Sequence, residues 1–335
     1  MPKWLKATLI TVGSLLGLVV VAVAVVCWLV FTPSKLTGIV NKVAADVVTC
    51  DVNFERVNLT LFKTFPFAGL DVHNVMLVNP VDGAPNDTVA HVGDLVLAVN
   101  VKQFVKKGEI VVRQLLLDGV DANLYVSESG VANFDVLKPS DDTTESKPLQ
   151  LPDYIDIEKV KISNLNACYN DYSSGLFADV SDLGLKVKGR WQDARADIDA
   201  ELRSRALSLV TADSMQNEKL TVSLASLKLE ADGRLRDTND ADASLKLSAA
   251  DIALHTCDTA GDEVVSLLLD KISLKAAADG WLDDMAGNLA LSVPKGDVTF
   301  GGMDYVTTTL KESDEDLLTV SAPFRANVDS LKLSL

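Results

Sequence analysis

Beyond residue 50 the apolar residues of this chain fall at every second position, and turn signals interrupt the alternation at short intervals. Alternation sends successive side chains to opposite faces of an extended strand, so the pattern predicts β-sheet with one apolar and one polar face. In "VDANLYV", Val120, Ala122, Leu124 and Val126 share a face, and Asp121, Asn123 and Tyr125 take the other. In "DLVLAVNV", Leu95, Leu97, Val99 and Val101 share a face. "LTVSLASLKLEADG", "ADASLKLSAADIAL", "DKISLKAAADG", "NLALSV" and "DSLKLSL" repeat the period. "YIDIEKVKI" alternates at Ile155 and Ile157, slips at Glu158–Lys159 and resumes at Val160 and Ile162, which predicts a β-bulge. Asp82–Gly83, Asp118–Gly119, Ser129–Gly130, Asp232–Gly233 and Asp279–Gly280 read as the turns of antiparallel meanders. No long amphipathic helix is expected past residue 50. Aromatic residues are only 6% beside 48% hydrophobic, so the apolar surface is mostly Leu, Val and Ala.

The start of the chain differs. No charge occurs from Ala7 to Ser34, and Leu9 to Phe31 is the most apolar part. At a rise of ~1.5 Å per residue that part makes a helix of roughly 35 Å, enough to cross a bilayer core of ~30 Å. A transmembrane helix is therefore expected over residues 7–31, after a cytoplasmic tail of residues 1–6. Trp4, Lys6, Trp28 and Phe31 mark its ends. The run is longer than the apolar core of a signal peptide, although the small residues of "VAVAVV" leave cleavage as the alternative. Residues 34–48 carry Leu36, Ile39, Val40, Val43, Ala44 and Val47 at helical spacing. They predict a short amphipathic helix, packed on the body in preference to the membrane surface. Then follow a first β section (50–137), a polar, proline-bounded flexible linker (138–150) and a second β section (151–335). The end at "DSLKLSL" falls in mid-alternation and reads as a truncation or a short variant.

Charge and motifs exclude several functions. Net charge is −16, and apart from Lys3 and Lys6 the chain holds 29 basic against 47 acidic residues. Phosphate backbones and anionic headgroups are repelled by such a body, so nucleic acid is not an expected partner. Cys27, Cys50, Cys168 and Cys257 are too scattered for a zinc knuckle or a disulfide framework, and buried free thiols are expected in preference to a single Cys50–Cys168 or Cys168–Cys257 bridge. His73, His91 and His255 have no sequence neighbour at metal-ligand spacing, so no metal site is assigned. No nucleophile elbow, P-loop or dinucleotide fingerprint occurs. "DDTTE", "KESDEDLL" and "NDADA" read as solvated acidic stretches, and "NDYSSG" as a strand end entering a turn. The chain is read as non-enzymatic, with no cofactor.

An apolar sheet face must be covered. The options are a dry core between two sheets, or a curved sheet whose apolar inside takes a ligand; for a membrane-tethered chain that ligand is an acyl chain. "KKGEIVVRQLLLDGVDANLYVSESGVANFDVL" resembles the central motif of the AsmA family of bacterial envelope proteins. "IEKVKISNLNACYNDYSSGLFADVSDLGLKVKG" looks like the family's next block, and "FERVNLTLFKTFPFAGLDVHNVMLVNP" fits its start. The resemblance covers about residues 1–190. Asn133 and Phe134 match family positions and are read as turn and core residues.

The resemblance implies a single-pass inner-membrane anchor and a body in the periplasm. It also implies an elongated, curved, mostly antiparallel β-sheet groove that binds or conducts phospholipid for outer-membrane lipid homeostasis. Leu95, Leu97, Val99, Val101, Val120, Ala122, Leu124 and Val126 are the expected groove residues. Phospholipid acyl chains, the inner membrane and outer-membrane or other envelope proteins are the expected partners. The alternative is a non-enzymatic scaffold for targeting and inserting outer-membrane proteins.

Overall fold

The computed structural model describes residues 33–60, 63–64, 67–99, 112–136, 138, 154–192, 195–212, 219–237, 239–258, 262–300, 303–306, 317–327 and 332–334. The expected transmembrane segment, with Trp4, Lys6, Trp28 and Phe31, lies outside the described residues, as do Val101 and the 138–150 linker except Lys138. Among the described residues no helix is long and apolar enough to cross a membrane.

One helix, α1 (Pro33–Val47), begins at a proline, whose fixed φ and missing N–H suit the first helical turn. Leu36 is 3% exposed and sits in a core with Val57, Val72, Val75, Val92 and Val120, with Val40 packed against it. The helix therefore lays its apolar face on the sheet, as its spacing predicted. Val47 stays half exposed.

The rest is strand. The first section holds β1 (Val52–Asn53), β2 (Arg56–Thr60), β3 (Ala68–Val78), β4 (Thr88–Val99) and β5 (Val112–Val126). The second opens with β6 (Tyr154–Asp171), β7 (Leu176–Gln192), β8 (Arg195–Ser204), β9 (Ala206–Ala212), β10 (Lys219–Leu224) and β11 (Ser226–Leu235). It continues with β12 (Asp240–Cys257), β13 (Glu263–Trp281), β14 (Asp284–Val293), β15 (Gly296–Phe300), β16 (Met303–Val306), β17 (Leu318–Asn327) and β18 (Lys332–Ser334).

All eighteen form one sheet, and the pairing follows chain order. The pairs β1/β2, β8/β9, β10/β11, β14/β15 and β16/β17 each share a row, so eighteen strands make thirteen rows. At ~4.8 Å between rows, the sheet extends roughly 60 Å across its strands. Every pairing is antiparallel except β5–β6, which is parallel from Gln114↔Lys159 to Val126↔Asp171. The two β sections are thus hydrogen-bonded to each other.

Asp118–Gly119, Asp232–Gly233 and Asp279–Gly280, expected as turns, lie inside β5, β11 and β13. Gly119 (φ 64°) spends its left-handed conformation on a bulge instead of a hairpin. Gly233 makes room: a Cβ there would lie 3.0 Å from the Ile198 side chain. Ser129–Gly130 is a turn as expected, and the slip at Glu158–Lys159 is a bulge between Ile157↔Gly189 and Val160↔Val187.

The bulges are aligned. Asn74, Gly119, Asn164, Asp182 and Asp251 all have φ between 50° and 64° and fall at equivalent places on β3, β5, β6, β7 and β12. The strand interruptions at Arg205, between β8 and β9, and at Ala225, between β10 and β11, continue the same line. All four described non-glycine residues with positive φ lie on it, and each is Asn or Asp, the types that tolerate this conformation best. At each bulge the alternation shifts by one, so residues three apart share a face: Val72 with Val75, Leu117 with Val120, and Ile162 with Leu165 all join one apolar cluster. A line of bulges bends a sheet along its length.

Candidate functional site

Directly paired residues in a sheet project from the same face, so the register shows what that face carries. One line of partners runs Val57, Val72, Leu95, Leu117, Ile162, Leu185, Leu202, Leu229, Leu247, Leu274, Leu291 and Val320. A second, two residues along each strand, runs Leu59, Leu70, Leu97, Leu115, Val160, Val187, Ala200, Ala231, Leu245, Ala276, Leu289 and Ala322. Two ladders of twelve aliphatic side chains therefore cross twelve of the thirteen rows without a polar member. A third line becomes very small: Gly189, Ile198, Gly233, Ala243, Ala278, Gly287 and Phe324. Between Ile198 and Phe324 it forms a concavity of about 390 Å³, floored by alanines. A Cβ at Gly287 would lie 2.6 Å from the Phe324 ring, so the ring takes the space of the missing side chain.

The ladders are covered at one end only. Val57 and Val72 are buried, at 1% and 4% exposure, under α1. From Ile162 to Leu291 the first ladder is half buried, and Val320 is 39% exposed. Of the fifteen buried apolar residues among the described ones, only Ala241, Ala249, Met285 and Val293 lie beyond residue 150. Among the described residues no second layer lies over this part of the face.

The opposite face is charged. Lys186, Glu201, Glu230, Lys246 and Lys275 are successive partners on it. Lys186 Nζ lies 2.8 Å from Glu201 Oε2, and Glu230 contacts Lys228 and, at 3.7 Å, Lys246. These lysines hold both glutamate carboxyls below the usual range. Such exposed pairs add little stability; their effect is to keep this face wet.

The expected groove residues divide. Leu95 belongs to the first ladder and Leu97 to the second. Val120, Ala122 and Leu124 continue the same face, opposite Leu165, Ala167 and Tyr169. Val120 is buried in the cluster under α1 and Leu95 packs against it, so these two lie in covered core. Val126, 8% exposed, closes the sheet end opposite Asp171. Val99 pairs through its backbone with Ala68 and Val112, and Val101 lies outside the described residues. The longer, open part of the face, from Leu185 to Val320, was not singled out from sequence, although each of its strands showed the alternation.

Asn133 is fully buried. Its Nδ2 donates to Asn123 O (2.8 Å) and its Oδ1 accepts from Tyr125 N (2.8 Å), so one side chain completes the pairing of β5. Phe134, expected in the core, is 39% exposed and lies 6.1 Å from the Tyr169 ring. The turn after β6 is held by Asp171, which accepts from both hydroxyls and both amides of Ser173 and Ser174 and from Tyr169 Oη at 3.2 Å. Those donors, the Ser173 hydroxyl foremost, hold its carboxyl far below the usual carboxylate range. Cys50, Cys168 and Cys257 are free and half buried, and burial raises the Cys50 and Cys168 thiols. The fold also gathers three groups that the sequence left apart: Asp71, His73 and Asp94. Asp71 and His73 are two apart on β3, and Asp94 faces His73 from β4.

The comparison with curated proteins and that with solved structures found no match. The profile of the AsmA family matches residues 1–295 of the 335, well beyond the stretch whose motifs are legible by eye. The chain belongs to the AsmA family.

Proposed function

We propose that this protein holds phospholipid by its acyl chains along the open apolar face and lets them pass from row to row. In this reading the N-terminal apolar run anchors it in the inner membrane, the body stands in the periplasm, and the cargo serves outer-membrane lipid homeostasis. One observation carries the reading: two unbroken aliphatic ladders that, among the described residues, no other layer covers over most of their length. Exposed apolar surface on that scale marks an interaction site, because water alone is a poor covering. An extended acyl chain of sixteen carbons, roughly 20 Å long, spans about four rows of ~4.8 Å. Each covered methylene contributes ~0.8 kcal/mol, so the chain is retained. A step of one row exchanges one Leu or Val contact for another, so the energy along the ladder is nearly level. The line of bulges supports a curved sheet with headgroups at the rim in water.

The test is site-specific photocrosslinking in growing cells. A benzophenone amino acid replaces Leu229 or Leu274 on the ladder, or the adjacent Lys228 or Lys275 on the outer face. Phospholipid adducts at the two ladder positions alone are expected. Equal adducts on both faces, or protein adducts at the outer face with no lipid, would defeat the proposal and favour the scaffold reading.

A further inference from the structure

A cluster of titratable groups stands on the outer face, away from the ladders. Val72 between them points into the core, so Asp71 and His73 both project outward, and His73 is the direct partner of Asp94. His73 Nδ1 lies 2.5 Å from Asp94 Oδ1, and its Nε2 lies 3.4 Å from Asp71 Oδ2. One ligand atom from each of the three falls within 4.8 Å of the others. The Asp71 side chain is only 9% exposed, and its Oδ1 is buried with no hydrogen-bond partner among the described residues. A buried carboxylate oxygen without a donor is costly, and such an atom calls for an ion or a water.

We propose that Asp71, His73 and Asp94 form a binding site for a divalent transition-metal ion, zinc being the best fit. One imidazole and two carboxylates are a nitrogen–oxygen set suited to zinc, iron or manganese, whereas magnesium and calcium prefer oxygen alone. A divalent ion balances the two carboxylates. Lys63 also supplies positive charge to this cluster: its Nζ lies 2.9 Å from Asp71 Oδ2, yet its side chain is 44% exposed. A long, half-exposed lysine can swing into water when a metal arrives. The bound ion ties β3 to β4 one residue from the bulge at Asn74 and Gly93.

The experiment is calorimetric titration of the full detergent-solubilised chain, stripped by chelator, with zinc chloride and then manganese chloride. One zinc per chain is expected, with a dissociation constant in the micromolar range or tighter. His73→Ala and Asp94→Asn each weaken it by at least about tenfold, and Lys63→Met tightens it severalfold because the competing cation is gone. His91→Ala leaves it unchanged. Absence of stoichiometric zinc overturns the site. So does zinc binding that survives both His73→Ala and Asp94→Asn in protein with wild-type circular dichroism, which places the ion elsewhere. Unchanged affinity in Lys63→Met overturns the role given to Lys63.

Discussion

Leu247→Asp separates a lipid-bearing face from a protein core. Leu247 is the β12 member of the first ladder, half buried and flanked directly by Leu229 and Leu274. In lipid-free protein the substitution removes two cross-strand apolar pairs, about 1 kcal/mol, and puts a poor strand former in a strand, about 1 kcal/mol more. A loss of ~2 kcal/mol leaves a domain of ordinary stability folded. The lipid feels more. Covering the leucine contributes ~2 kcal/mol, and the methylenes lying on it ~0.8 kcal/mol each. Losing even ~3 kcal/mol of this lowers affinity roughly a hundredfold. At a lipid concentration ten times the wild-type dissociation constant, occupancy then drops from about nine-tenths to about a tenth. The assay is native mass spectrometry of gently solubilised protein, counting lipids per chain, with strand content checked by circular dichroism. Lys246→Asp is the control, since Lys246 is the next residue on the charged face. A folded Leu247→Asp protein with wild-type lipid content would refute the argument, as would equal loss in Lys246→Asp.

Four further outcomes follow from local geometry. Val57→Ala, at a site 1% exposed under α1, lowers unfolding free energy by ~2 kcal/mol in urea titrations, whereas Val320→Ala, 39% exposed, changes it by less than ~0.5 kcal/mol. Asn133→Ala strands the Tyr125 amide and the Asn123 carbonyl, costing ~2–3 kcal/mol and accelerating hydrogen exchange at Tyr125. Gly119→Val destabilises by more than ~1 kcal/mol because φ is 64°, and Gly119→Asn recovers most of the loss. Asp171 has a folded pKa below its unfolded one, so its contribution is complete above the ordinary carboxylate value of 3.8 and fades as pH falls below it. Asp171→Asn therefore flattens the acid limb of a stability–pH curve between about pH 5 and 2, and an unchanged limb refutes this.

The bulge line was written in the sequence in a form easily misread. Val72-His-Asn-Val75, Leu117-Asp-Gly-Val120, Ile162-Ser-Asn-Leu165, Val180-Ser-Asp-Leu183 and Ala249-Ala-Asp-Ile252 share one pattern: apolar, any residue, Asn, Asp or Gly, apolar. Taken singly, "LDGV" looks like a hairpin. Only its recurrence at one register of the sheet identifies it as a crease. The slip at Glu158–Lys159 was legible because the alternation resumed within the same strand.

What the sequence determined alone is the division into faces. Side-chain alternation is a property of the extended backbone, so Val120, Ala122 and Leu124 were bound to share a side whatever they paired with. The amphipathic helix followed in the same way from its own spacing. The tertiary structure decided everything that depends on register. It aligned leucines more than two hundred residues apart into one ladder and joined β5 to β6 in parallel. It also placed α1 over Val57 and Val120 while leaving Leu247 and Leu274 without a cover among the described residues, and carried Asp94 to His73. Register is set by partners distant in the chain, and no local pattern encodes the distance.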